Sequence, residues 1–180
     1  QTDPLVSYGI TKLTIEKYLL MFQKLYGLKP VILRVSNPYG PRQRIETAQG
    51  AATIFIYRAL HKIPIEIWGD GSTVRDYIYI SDVADAFVKA LAYNGEKNVF
   101  NISSGKGINL NELIAEIESA LQCSVIRNYL APRPFDVPTS VLANTLARQE
   151  LNWFPKVGIN EGIIKTINWL TAEDKYHHSP

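Results

Sequence analysis

The sequence predicts an α/β fold, because short apolar runs alternate along it with longer segments of helical periodicity. Two helical segments carry the prediction best. Leu110, Leu113, Ile114, Ile117 and Leu121 recur at helical spacing behind Asn109 and Glu112, which have the spacing of a capping box with Asn in the place of Ser or Thr. Ile163, Ile164, Ile167 and Leu170 repeat that period in a segment that starts at Asn160. Between such segments lie brief apolar runs, Val31 to Val35 and Val99 to Ile102, of strand length.

The remaining elements follow in order. Tyr8 to Tyr26 reads as a helix with apolar positions at Ile10, Leu13, Leu20 and Leu25, stopped by Gly27 and followed by Pro30. Ala51 to His61 reads as a second helix, and Ile65 to Trp68 and Tyr77 to Ile80 as strands flanking the turn Gly69-Asp70-Gly71. Ser81 is the expected N-cap of a helix to Ala92, with Asp82 and Asp85 near its positive end. Val125 to Leu130 reads as a strand, and Ala131 to Pro138, with three prolines, as a loop. The end of the chain, from His177, is expected to be a tail. No repeat, low-complexity run or Gly/Ser linker divides the sequence.

Composition narrows the function classes. The chain has 180 residues, of which 46% are hydrophobic and 20% charged, the content of an ordinary globular domain. A formal charge of +2, with cations dispersed among acids, does not suggest a nucleic-acid partner. The apolar runs fall short of a bilayer span, and no basic-apolar leader precedes them, so no membrane association and no secretion are expected. A single cysteine, Cys123, fits a reducing compartment, and a cytoplasmic location is expected. His61 has no ligand residues near it at metal spacing, so no metal site is expected. Gly105-Lys106-Gly107, between a strand and a capped helix, reads as a turn and not as a phosphate loop.

The chemistry-bearing residues come in four groups. Tyr8 and Lys12 stand four residues apart, on one helix face, where an ammonium can favour the phenolate that acid/base work requires. Alone, the pair fits a surface helix equally well. Arg34 to Gln43 combines polar side chains with a Pro-Tyr-Gly-Pro turn, residue types that suit a phosphate-bearing ligand. Gly69 to Tyr77 delivers Arg75, whose planar fork can grip a diphosphate, although a hairpin with an Arg-Asp surface pair would look the same. Arg133-Pro134-Phe135-Asp136 puts another cation on a proline-stiffened loop, which could also be a connector with a surface ion pair.

In order, Tyr8-x-x-x-Lys12, Arg34-x-x-Asn37-x-Tyr39-Gly40-Pro41, Gly69-Asp70-Gly71, Arg75-Asp76-Tyr77, Asp82-Val83-Ala84-Asp85-Ala86, Asn101-Ile102-Ser103-Ser104-Gly105 and Arg133-Pro134-x-Asp136 resemble the extended short-chain dehydrogenase/reductases that act on nucleotide sugars. The resemblance spans about Ser7 to Leu170 and is nearest in flavour to the UDP-glucose 4-epimerase group. It implies an NAD-dependent enzyme built as the carboxyl-terminal part of a Rossmann-like doubly wound fold plus a small α/β substrate-binding domain. Residues 1–50 would be the end of the NAD-binding part, 51–175 mostly the nucleotide-sugar part with segments returning to the first, and 176–180 a tail.

By the same resemblance, Tyr8 is the catalytic base, and Lys12 holds the nicotinamide ribose and favours the phenolate. Val35 and Ser36 would lie near the nicotinamide, and Asn37 at the diphosphate or sugar. Ala51 and Ala52 would meet the substrate through backbone groups, Glu66 and Trp68 would flank the uracil, and Arg75 and Arg133 would hold the diphosphate. Asp136 would contact the ribose or orient Arg133. The partner implied is a UDP-sugar, and the whole enzyme would be a homodimer. The 4,6-dehydratases and UDP-glucuronate decarboxylases share the pattern, and a non-catalytic nucleotide-sugar or dinucleotide sensor on the same fold is the alternative from another class.

Three positions depart from the family pattern: Phe135 stands for a glycine, Ser140 for a tyrosine, and no proline follows Gly50-Ala51-Ala52. No Gly-x-x-Gly-x-x-Gly phosphate loop precedes the Tyr8 helix. The expectation is therefore a fragment lacking the amino-terminal half, with weak or absent NAD binding, no catalysis and impaired dimerisation.

Overall fold

A computed structural model describes residues 2–46, 50–134 and 136–177, the last four as backbone only. Its elements, in chain order, are α1 (Ser7–Tyr26), β1 (Ile32–Val35), β2 (Asn37–Tyr39), α2 (Ala51–Leu60), β3 (Ile65–Trp68), β4 (Val74–Tyr79) and α3 (Ile80–Leu91). Then come β5 (Val99–Ile102), β6 (Gly107–Asn109), α4 (Leu110–Leu121), β7 (Arg127–Leu130), β8 (Thr139–Ser140), α5 (Thr145–Glu150) and α6 (Ile159–His177). The α/β alternation read from periodicity is the fold. The short elements β2, β6, β8 and α5 carry too little period to be read in advance.

The strands form three groups. β1 pairs with β5 in parallel, from Ile32 opposite Val99 to Val35 opposite Ile102. β4 is the centre of a second group: its end pairs in parallel with β2, and its start pairs antiparallel with β6 and in parallel with β8. β3 pairs in parallel with β7. The segments flanking Gly69-Asp70-Gly71 are therefore not a hairpin, since β3 and β4 belong to different groups. The turn is instead tied to α4, with the Gly71 carbonyl accepting from the backbone N–H of Leu110 at 3.0 Å and of Asn111 at 3.3 Å. Gly71 has φ +80°, and a Cβ there would stand 2.5 Å from the Asn111 side chain, so this turn demands glycine.

Two apolar clusters hold these groups, and the alternation of β4 serves both. Tyr77 and Tyr79 face the first, with Phe55 and Ile56 of α2, Ile65 and Ile67 of β3, Leu113, Ile114 and Ile117 of α4, and Ile163 of α6. Ile78 faces the second, with Val83 and Ala86 of α3, Phe100 and Ile102 of β5, Ala147 of α5, and Trp153. The capping box at Asn109 and Glu112 forms as expected, each side chain bonding the other's backbone N–H.

Ser81 does not cap α3. The helix starts two residues earlier, after Tyr79, because pairing with β2 keeps the strand extended up to that residue, and no side chain caps it. Asp82, expected only to favour the helix dipole, is buried; its Oδ2 accepts from the backbone N–H of Lys156 and of Val157, each at 3.0 Å, while its carbonyl accepts from Trp153 Nε1 at 2.9 Å. At the other end of the chain α6 continues through positions 176 and 177, where a tail is expected; 178–180 lie outside the described residues.

Burial in the first cluster raises its phenols. Tyr77 is pushed up to about 12, mainly by burial and against the pull of Arg75. Burial, aided by Tyr79, Asp82 and Glu161, lifts Tyr39 far above the usual phenol range, and burial lifts Tyr79 against Lys165. Below about pH 10 the native and unfolded chains both keep these protons, and this stability is fully present. Above it the unfolded chain releases protons that the native chain retains, so unfolding free energy falls by ~1.4 kcal/mol per pH unit for each withheld proton. Urea midpoints should accordingly be level up to about pH 9.5 and fall towards about pH 11, with the tyrosinate absorbance rising at the unfolding transition. A midpoint unchanged at the higher pH would contradict this account.

Candidate functional site

A cleft of about 430 Å³ opens beside β4, walled by α2, β3 and the loop after β7. Of the residues singled out in the sequence, it brings together Asn37, Ala51, Glu66, Trp68, Arg75, Arg133 and Asp136. Ala52, one residue further into α2, is packed in the first apolar cluster behind the cleft. A second depression of about 700 Å³ shares Trp68, Arg133 and Asp136 with the cleft and continues towards Asp70 and Tyr129.

Each cation of the cleft is held in place by the fold. Arg75 Nη1 donates to the carbonyls of Val74 at 2.9 Å and Val137 at 2.6 Å, and its Nη2 stands 3.7 Å from Asp136 Oδ1. Asp136 thus pairs with Arg75 and not with Arg133, which it was expected to orient unless it contacts the ribose. Arg133 instead lies over the indole of Trp68, 4.3 Å from the ring centroid, an arrangement that holds a guanidinium without neutralising it. Phe135 lies outside the described residues.

Arg58 is a third cation of the cleft, unforeseen from the sequence. Its Nη1 donates to the Pro64 carbonyl at 2.8 Å and lies 3.7 Å from Glu66 Oε1. An arginine on a helix carries no signal of its own; only the return of the chain along β3 brings Glu66 beside it. Tyr77, also unforeseen as a lining residue, contributes a protonated phenol. Three guanidinium groups against two carboxylates give a cleft suited to an anionic ligand, and the indole adds a flat apolar wall.

The Tyr8 and Lys12 pair is on α1, apart from the cleft's lining residues. Lys12 Nζ lies 5.3 Å from the centroid of the Tyr8 ring, so the two side chains do share a helix face, and Tyr8 is 72% exposed. No residue of α1 is buried, and Ile10, Ile15, Tyr18, Phe22 and Leu25 all present apolar surface. A bidentate ion pair ties α1 to β1: Arg34 Nε donates to Glu16 Oε1 at 2.8 Å and Nη2 to Oε2 at 2.5 Å. The bond to Glu16 also raises the already high pKa of Arg34. Arg34 is therefore spent inside the fold and is not a phosphate ligand.

Val35 ends β1 and Ser36 follows it where the chain leaves β5; the Ser36 backbone N–H donates to Ile102 O at 3.0 Å. At the next residue the chain joins β4, with Asn37 opposite Tyr77. The Asn37 amide Nδ2 donates to the Asp76 carbonyl at 2.8 Å, leaving its oxygen towards the cleft without a protein partner among the described residues. Among the described residues no cluster of His, Cys, Asp and Glu could hold a metal, and no helix is long and apolar enough to cross a membrane.

Residues 1–103 match the model of the NAD dependent epimerase/dehydratase family. The chain belongs to this family. Among curated relatives, it is 40% identical to a dTDP-4-dehydro-6-deoxyglucose reductase of Escherichia coli over 94% of this chain and 54% of that protein. It is 36% identical to a UDP-glucose 4-epimerase of Mycolicibacterium smegmatis, over 93% of this chain and 54% of that one. Among solved structures, a UDP-glucose 4-epimerase of Thermotoga maritima with UDP-glucose superposes with a TM-score of 0.91 at 38% identity, covering 95% of this chain and 55% of the other. A UDP-glucuronic acid 4-epimerase of Bacillus cereus with UDP-glucuronic acid and NAD gives 0.87 at 29% identity, covering 96% and 55%. The chain thus spans about half the length of the curated relatives it matches. The Rossmann-like α/β architecture that the motifs imply is the one shared with these epimerase/dehydratase chains.

The Arg34 and Glu16 pair ties the helix that carries the Tyr-Lys pair to β1. Replacing Glu16 with Ala should raise amide exchange along α1 by about tenfold or more, consistent with losing a charge-assisted pair, while α2 and α4 keep their protection. Equal exchange in both proteins would show that α1 is held by other means.

Proposed function

We propose that this chain supplies the nucleotide-sugar cleft and the Tyr8-Lys12 pair of an NAD-dependent UDP-sugar 4-epimerase, working on UDP-glucose and UDP-galactose through a 4-keto sugar. The observation that carries the reading is the convergence of Arg75, Arg133 and Asn37 on one cleft with an indole wall. Two guanidinium groups in one recess suit a diphosphate, and Trp68, with Glu66 and Arg58 beside it, suits a base that offers a flat ring and polar edges. UDP-glucose in the solved relative at 38% identity supports the same choice of ligand.

The roles are those that the family resemblance implies. Arg75 and Arg133 bind the diphosphate, and Asn37 offers its amide oxygen near the sugar end. Ala51, at the start of α2, meets the substrate through the backbone, with Ala52 packed behind it. Tyr8 takes the proton of the sugar 4-hydroxyl and later returns it, with the Lys12 ammonium beside its ring. The exposed, adjacent phenol and ammonium fit a nicotinamide ribose, and Val35 and Ser36, at the open end of β1, fit the ring beside it. NAD bound there supplies hydride acceptance and hydride return at the sugar carbon.

The 180 residues by themselves carry out no turnover and hold NAD weakly, since the relatives are about twice as long. The whole enzyme is a cytoplasmic homodimer, and the uncovered apolar side chains of α1 support an assembly through that helix. The isolated chain should scatter light as a monomer or a weak dimer; a tight dimer would count against this.

A second reading, reduction of a 4-keto nucleotide sugar, is favoured by the 40% identity to the Escherichia coli reductase. The same Tyr8 would then donate its proton once, and the nicotinamide would be consumed. The two separate cleanly by product analysis in a polypeptide that carries this chain and the rest of the fold its relatives span. Supplied with UDP-galactose and catalytic NAD, the epimerase forms UDP-glucose, and Tyr8→Phe slows it by about 100-fold or more, the usual scale of a lost acid/base group. Stoichiometric oxidation of NADH or NADPH with a 4-keto substrate, and no interconversion of the two hexoses, would establish the reductase. Formation of a 4-keto-6-deoxy product would establish a dehydratase, and unchanged turnover in Tyr8→Phe would exclude this base.

A further inference from the structure

Asp76 lies between Arg75 and Tyr77 on β4, and because strand side chains alternate it points away from the cleft that its two neighbours line. It is 0% exposed, and among the described residues no cation pairs with it. Its charge is met by N–H and O–H donors alone. Oδ1 accepts from the Ser104 backbone N–H at 2.9 Å, the Ser104 hydroxyl at 2.7 Å and, at a longer 3.4 Å, the Ser36 hydroxyl. Oδ2 accepts from the backbone N–H of Gly105 at 3.1 Å and of Leu142 at 3.3 Å. The two successive N–H groups of Ser104 and Gly105 converge on the one carboxylate because Gly105 adopts φ +75°, the turn of an anion-binding nest.

These donors come from parts of the chain with different tasks. Ser36 follows β1; Ser104 and Gly105 follow β5; Leu142 follows β8, which pairs with Arg75 itself. The backbone of Asp76 adds a further tie, since its carbonyl holds the Asn37 amide at 2.8 Å. One residue thus fixes the step at which the chain leaves β5 for β4, and with it the separation of Ser36, Asn37 and Arg75.

We propose that Asp76 is a positioning residue of the sugar site: it holds the Ser36-Asn37 step and Arg75 in one register, so that the side facing the nicotinamide and the side facing the diphosphate share a single anchor. This rests on the proposed function for the identity of the ligands. It goes further in assigning the alignment of the two sides to a carboxylate that touches neither. Misplacement of binding groups by small distances is costly in such sites, because their alignment is prepared before the ligand arrives.

Asp76→Asn tests it, as the amide is of the same size but turns an N–H₂ towards donors; Ser104→Ala is a milder second variant should the first fold poorly. Leu151→Ala, in the second apolar cluster away from the network, serves as the control for lost stability. Two readouts are taken on the 180-residue chain. In nitrogen-resolved NMR, Asp76→Asn and Ser104→Ala should shift the Asn37 side-chain amide and the Gly105 backbone amide, while Leu151→Ala should not. In calorimetric titration with UDP, Asp76→Asn should weaken binding by about tenfold, beyond the change in a Leu151→Ala protein of similar Tm. Unmoved Asn37 amide signals in both network variants, or UDP affinity no lower than in the control, would overturn the inference. If the unaltered chain binds no UDP, the proposed ligand fails, and the amide shifts alone decide for or against Asp76 as the anchor.

Discussion

A buried carboxylate with no cation beside it among the described residues is the constraint around which this chain is arranged. Taking Asp76 out of water costs several kcal/mol unless hydrogen bonds replace its hydration, and the fold meets that demand with donors from the segments after β1, β5 and β8. Those segments cannot move independently without leaving the charge unmet. The consequence reaches the cleft through covalent neighbours: Arg75 and Tyr77 line it because Asp76, between them, faces inward.

The same strand divides the hydrophobic core. Tyr77 and Tyr79 join the cluster under α2, α4 and α6, and Ile78 joins the one under α3 and α5. A central strand whose two faces serve two cores is stiff, and a cleft built beside it inherits that stiffness. Around the rim the arrangement is looser in kind: Arg75 is held by two carbonyls with Asp136 at 3.7 Å, Arg58 by one carbonyl with Glu66 at 3.7 Å, and Arg133 by an aromatic face. Carbonyls and an indole orient a guanidinium while leaving its charge for a ligand, which a tight carboxylate pair would not. Arg34 illustrates the opposite case, its fork filled by Glu16. The α1 helix contrasts with all of this, for it has no buried residue and presents its phenol, ammonium and apolar side chains outward.

How legible the site was depends on the kind of residue. Arg75, Arg133 and Asn37 stood in motifs whose order along the chain resembled a family, and the family model and relatives bear that resemblance out. Arg58 and Tyr77 had no motif to mark them. The helices at Tyr8 to Tyr26 and Leu110 to Leu121 were legible because many residues repeat one period, and the Asn109 box because its two partners are three residues apart. Ser81 misled as a cap because pairing of the preceding strand, β4, with the distant β2 fixed where the helix begins.

By itself, then, the order of residues determined whatever depends on near neighbours: the alternation of helix and strand, the capping of α4, the glycine turn, and the shared helix face of Tyr8 and Lys12. Tertiary structure alone decided which charges are spent and which are offered. Glu16 and Arg34 are separated by 18 positions, Asp76 and Leu142 by 66, and Arg75 and Val137 by 62. Hydrogen bonds act over a few ångströms, so their partners are set by how distant strands come to lie side by side, and no local pattern records that.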